Sequence, residues 1–417
     1  MRILSLASRT DLEQELGRVG ADSGSWPIFA AKAQSLAISI NRLSTAGANI
    51  LKQTALACGA DCAVHTRIVS GRKRLTDAVL FATERQLGTL AQRLGSQPEC
   101  ASRLVPELNA LVWRYLHPDL SVRILGKDVD LGARAFVMGI LNVTPDSFYD
   151  GGRHLDKNSA IAHAEQMAAE GADFIDIGAE STRPGARPVP DREQLARLLP
   201  VFRVVRKRVR AWLSVDTTSA RVAQACLDAG ADMVNDISGL SFDRRMAKVI
   251  AKNRVPCCIM HIKGRPRTMQ RRPKYEDLMA EVTGWLRARL EYAVAAGVEQ
   301  RQVIVDPGLG FGKTVEHNLE IIRRLTELRS LGRPILVGPS RKSFVGKVLG
   351  LGPEERLEGS LAACVLASRN GANVLRVHDV KPAVRALRLA DAVRTGMNTK
   401  NTKSEETGSK ASRGQGC

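Results

Sequence analysis

Eight short apolar runs, set roughly 20 to 45 residues apart, recur between Phe136 and Val380, and nearly all end on a polar residue. They are FVMGILN, FIDIG, LSVD, MVND, CCIMH, VIVD, ILVG leading into PSRK, and VLRVHD. Helix-like stretches separate them, and that alternation is the pattern of a parallel (β/α)8 TIM barrel. The spacing predicts strands near 136–142, 174–178, 212–216, 232–235, 256–260, 303–306, 335–338 and 373–377, closing with a helix over Pro382–Val393. Functional groups of such barrels sit at the C-terminal ends of the strands. Asn142, Asp216, Asn235, His261, Asp306, Lys342, Arg376 and His378 are therefore expected to share one rim.

A barrel takes about 250 residues, so a chain of 417 has room for a further domain in front of it. Residues 1–125 lack the barrel rhythm. Strand-like segments at 33–40, 62–68 and 77–83, with helix-like ones at 44–59, 84–94 and 102–116, predict a smaller α/β domain with no legible function. The barrel is expected over 126–394. Residues 395–417, rich in Ser, Thr, Gly and Lys, are expected to be a disordered tail.

The net charge of +19 raises the question of nucleic acid. The basic residues are scattered and aromatics are only 4% of the chain, so runs such as Arg203–Arg210 and Lys263–Arg272 are expected to be solvated surfaces, attractive to anionic substrates, and no nucleic-acid partner is expected. No stretch of about 18 uncharged apolar residues and no secretory signal is present, which predicts a cytoplasmic protein without a membrane partner. The 8 cysteines have no disulfide-framework spacing. Cys58, Cys62 and His65 lack a fourth ligand for zinc and are expected to be structural.

Two loops hold the densest chemistry. Asn142-Val-Thr-Pro-Asp-Ser-Phe-Tyr-Asp-Gly-Gly152 follows the first run and Gly178-Ala-Glu-Ser-Thr-Arg-Pro-Gly-Ala186 the second; consecutive barrel loops of this kind suggest a substrate-covering lid. Both resemble the signature loops of dihydropteroate synthases. The resemblance covers about residues 125–393 and continues through SVDT, VNDISG, MHIKGRPRTMQ, DPGLGFGKTVEHN, SRKSF, GSLAA and RVHDV. It departs at Tyr149 and at Lys263, where the family commonly has a small and a neutral residue.

The resemblance implies a reaction that joins 6-hydroxymethyl-7,8-dihydropterin pyrophosphate to p-aminobenzoate and releases pyrophosphate. A pterin edge of donors and acceptors calls for buried carboxylates and amides, and the resemblance gives Asp216, Asn235 and Asp306, with Lys342, that part. It assigns pyrophosphate to Arg376, His378 and Asn142, with Mg²⁺ held through Asn142. It implies Asp146 facing the developing cation, and a p-aminobenzoate pocket of Thr182, Arg183, Pro184, Phe311 and Ser343. The substitution is expected to be dissociative and SN1-like, with Asp146, Lys342, Arg376 and His378 catalytic. A homodimer is also expected.

Other readings fit less well. Pro307–Thr314 nearly spells a P-loop, but Pro307 stands where Gly is needed and Asp306 would face the phosphates. A folate-dependent methyltransferase of the same superfamily would not need the two lid loops or RVHD. A catalytically silent pterin-binding protein would be expected to have lost Asn142, Arg183, Lys342 or Arg376, all of which are present.

Overall fold

The computed structural model describes residues 9–68, 74–143, 157–180 and 188–395, together with residues 2, 4 and 6. It divides into two compact units between Leu116 and His117. The first unit holds an antiparallel sheet of β1 (Ser35–Ser44), β2 (Asp61–Val64) and β3 (Leu75–Thr83), in the order β1-β3-β2. One face of that sheet presents Ile38, Cys62, Ala78, Leu80 and Ala82 to a core shared with helices Thr45–Ala57, Glu84–Gly95 and Leu104–Leu116. Alternation of buried and exposed residues along β3 follows from the period of two in a strand with one covered face. Cys62 packs in this core, where burial raises its thiol pKa. His65 Nδ1 accepts from the Arg67 N–H at 3.1 Å.

The second unit opens with a hairpin, β4 (Ser121–Ile124) and β5 (Lys127–Asp130). Leu125 and Gly126 between them have φ of 50° and 77°, the positive values a type I′ turn requires. The expected boundary near residue 126 thus falls inside a turn, and the division lies earlier. The hairpin belongs with the barrel because alternate residues Val122 and Ile124, with Leu131, pack under the barrel strands. Arg333 fastens it: this buried guanidinium donates to Asp119 Oδ2 at 2.9 Å and to the carbonyls of Ser121, Arg301 and Val303.

The barrel strands are β6 (Phe136–Asn142), β7 (Phe174–Gly178), β8 (Trp212–Asp216), β9 (Met233–Asp236), β10 (Cys257–Met260), β11 (Val303–Asp306), β12 (Leu336–Val337) and β13 (Val374–Val377). All pair in parallel, in the order β11-β10-β9-β8-β7-β6-β13-β12, and a single bridge from Val305 to Ile335 links the two ends. Successive residues face opposite ways. Val137, Ile175, Val215, Val234, Ile259, Val305, Val337 and Leu375 face the helices, whereas Phe136, Met138, Phe174, Met233, Cys258, Ile304, Leu336 and Val374 fill the interior above the hairpin. That parity also sends Asp176, Ser214, Asp216, Asn235, Asp306 and Arg376 inward. Among the described residues no helix is long and apolar enough to cross a membrane. The expected tail beyond Thr395 lies outside the described residues.

Candidate active site

Hydrogen-bonded register puts Asn142 beside Gly178, Gly178 beside Asp216, and Asp216 beside Asn235, so three strands end on one rung and β9 ends one residue beyond it. Just below it lies a charged cluster. Arg376 on β13 donates through Nε to Asp176 Oδ2 at 2.6 Å and through Nη2 to Asp216 Oδ2 at 2.9 Å. Asn235 Nδ2 donates to the same Asp176 oxygen at 2.9 Å. The cation expected to await phosphate is therefore already clasped by two carboxylates. Asp176 was not among the residues singled out from the sequence; an acid in the middle of the apolar run FIDIG was the available signal.

The electrostatics follow from burial. Asp216 is pushed up to about 7, first by desolvation and then by the neighbouring Asp176 charge, against the pull of Arg376. Burial also raises Asp306, opposed by Lys342. For Arg376 burial favours the neutral form, but Asp176 and Asp216 more than offset it and hold the guanidinium above its ordinary value.

Lys342 caps the helix Ser343–Leu349 and reaches back to the Leu309 carbonyl, with its ammonium 4.9 Å from the centre of the Phe311 ring. Burial lowers it to about 8, Asp306 working the other way. The turn before it is strained, since Arg341 has φ of 53°. Asp379 holds that turn, taking Arg341 Nε and Nη2 at 2.8 and 2.7 Å, so RVHD supports the lysine as well as carrying His378. His378 Nδ1 lies 3.2 Å from Ser340 Oγ.

The Pro307–Thr314 loop does not form a P-loop. Its Lys313 is buried, 2.9 Å from His261 Nδ1 and 3.1 Å from the Phe311 carbonyl, and desolvation brings it down to about 7. Glycine is required where this loop crosses the end of β10: a Cβ on Gly308 (φ 68°) would stand 2.0 Å from the His261 carbonyl oxygen. His261 itself corrects an expectation. It follows the inward Met260, so its ring turns to the helix layer, edge-on to Trp285 at 5.1 Å, and it is not part of the mouth.

Among the candidates, Arg376 is bonded directly to Asp216 and is joined to Asn235 through Asp176, and Lys342 with Phe311 forms a second group to which Ser343 is adjacent in the chain. Asp306 Oδ1 accepts from the Gly308 N–H at 2.6 Å, at the foot of the same loop. Asp146, Thr182, Arg183, Pro184 and Tyr149 lie outside the described residues. Lys263 points away to Glu281, 2.9 Å distant, and lies over the Tyr275 ring, which accounts for the extra charge outside the pocket.

The pterin binding enzyme family matches residues 138–378. A dihydropteroate synthase of Synechocystis is 47% identical over 265 residues, 63% of this chain and 92% of its own. The chain belongs to the dihydropteroate synthase family. The solved dihydropteroate synthase of Yersinia pestis with a sulfonamide drug superposes with a TM-score of 0.63 at 44% identity, covering 66% of this chain and 100% of that one. The Xanthomonas albilineans dihydropteroate synthase with 4-aminobenzoic acid gives 0.62 at 43%, covering 66% and 98%. The family is one of transferases in folate synthesis, and its match begins beyond the first unit.

Proposed function

We propose that this chain condenses 6-hydroxymethyl-7,8-dihydropterin pyrophosphate with p-aminobenzoate to give 7,8-dihydropteroate and pyrophosphate. The observation that carries the reading is the inward cluster of Asp216, Asn235, Asp306 and Arg376 at the C-terminal mouth of a barrel belonging to this family. Its carboxylates and amide suit the donor and acceptor edge of a pterin, buried where water competes little. The Arg376 guanidinium, flat and tied at two corners, offers a face on which a flat ring can lie.

In this mechanism the methylene C–O bond breaks first and its electron pair leaves with pyrophosphate. The p-aminobenzoate nitrogen then attacks the methylene cation and releases a proton. His378, Arg376 and Asn142 take the departing anion, and Asp146 faces the cation. Lys342 and Phe311, 4.9 Å apart, border the second substrate with Ser343, Thr182, Arg183 and Pro184. The cation forms only where carboxylates already stand, which is electrostatic preorganisation.

Mg²⁺ belongs to the same proposal. Among the described residues no three His, Cys, Asp or Glu side chains gather as a metal cage. A hard cation that stays largely hydrated would need few protein ligands, and Asn142, at the end of β6, would hold it through its amide oxygen. When bound it would neutralise pyrophosphate charge. The proposal includes a homodimer, supported by exposed Leu319, Val348, Leu349 and Leu366 on three successive helices and checked by light scattering across a dilution series. It also includes a cytoplasmic setting, consistent with free thiols at Cys58, Cys62, Cys100, Cys226, Cys257, Cys258 and Cys364.

The test is to mix purified protein, Mg²⁺ and both substrates and measure dihydropteroate and pyrophosphate. One-to-one appearance of the two is expected. Pterin binding without either product would leave a silent binding protein.

A further inference from the structure

Asp176 has no part assigned in this reaction, yet it stands where three residues with assigned parts meet. It is fully buried in the middle of β7, where an ionised carboxylate is costly unless paired. Oδ2 accepts from both Arg376 Nε and Asn235 Nδ2, at 2.6 and 2.9 Å. Oδ1 has no partner among the described residues, nor has Ser214 Oγ, the residue opposite on β8. A buried water is the ordinary partner for two such atoms.

This geometry acts on the site in two ways. A guanidinium held at Nε by β7 and at Nη2 by β8 cannot rotate about its own bonds without losing one of two charge-assisted hydrogen bonds. An asparagine amide has a donor end and an acceptor end of nearly the same size. An ionised carboxylate only accepts, so it takes the Asn235 NH₂ and leaves the Asn235 oxygen for the pocket. We infer that Asp176 is a positioning residue that fixes the plane of Arg376 and the donor–acceptor sense of Asn235 before the pterin arrives. The inference rests on the pterin reading above.

The variant Asp176→Asn keeps the shape but puts an NH₂ where only acceptors serve. In the full chain, with Mg²⁺ and both substrates, the KM for the pterin pyrophosphate is expected to rise at least tenfold. The KM for p-aminobenzoate should stay within about twofold, and 6-hydroxymethyl-7,8-dihydropterin should bind at least tenfold more weakly in calorimetry. A drop in kcat with both KM values unchanged would indicate only less folded enzyme and would overturn the inference. A second measurement needs no folded Asp176 variant. The Nε–H resonance of Arg376 in the unsubstituted chain, identified by its loss in Arg376→Lys, should exchange slowly with solvent, and fast exchange would overturn the lock. An unsubstituted chain that neither binds the pterin nor forms dihydropteroate would instead sink the functional reading, while the resonance still decides whether the lock exists.

Discussion

Lys342 shows how a residue can matter for turnover and not for stability. Its ammonium donates to the Leu309 carbonyl and lies over the Phe311 ring, and the Asp306 carboxyl that it leaves behind in Lys342→Met is already raised by burial and still accepts from the Gly308 N–H. We expect kcat/KM to fall on the order of 10²-fold, about 2.7 kcal/mol, with the fold intact. Its folded pKa of about 8 lies below the unfolded value, so the unsubstituted chain gains stability as pH rises from about 8 towards 10.5, and the methionine variant should lack that gain. Thermal melts at several pH values check this. Asp216 has the opposite sign. Its pKa, raised from 3.8 to about 7, contributes stability that is full below 3.8 and lost as pH rises through 7. Asp216→Asn should therefore melt no lower than the unsubstituted chain at pH 8, the difference shrinking near pH 4, while the pterin binds at least ~10-fold more weakly. A clearly lower melting temperature at pH 8 would mean that the pairing with Arg376 outweighs desolvation.

At the scale of elements, the Pro307–Thr314 loop is placed by close backbone contact with the end of β10. Gly308→Ala meets both a positive φ and the His261 carbonyl, and is expected to cost about 2 kcal/mol or more and to lower kcat/KM through Leu309 and Lys342. Gly350→Ala has a similar φ of 69° but open space around it, and should cost about 1 kcal/mol. Denaturant melts of the two separate crowding from conformation. All eight strands were legible because parallel strands covered on both faces read as unbroken apolar runs. Which residues face the interior was less legible, and Asp176 went unnoticed because its partner Arg376 lies 200 residues away. His261 was misplaced for the same reason: sharing a strand end does not fix which way a side chain points. The hairpin had a local signal, alternating Val122 and Ile124 before Leu-Gly, but it sat across the presumed boundary.

For the whole molecule, the boundary matters because the barrel unit includes its hairpin. A chain beginning at His117 is expected to fold and to keep turnover, since every proposed site residue lies beyond it. One beginning at Gly126 loses Asp119, Val122 and Ile124, uncovers the barrel's lower core and leaves the buried Arg333 without its carboxylate. That loss should destabilise it by several kcal/mol or prevent folding. Circular dichroism and the product assay on both chains are the check, and a stable, active chain from Gly126 would refute the role given to the hairpin. The same hairpin turns the barrel into a vessel with a closed bottom. Among the described residues, Val122, Ile124 and Leu131 pack with a buried layer of Phe, Met and Leu side chains that fills the barrel's lower end. Whatever the mouth admits must go out through the mouth, so arrivals and departures share one doorway. A product slow to leave would hold up the next reactants by standing in it.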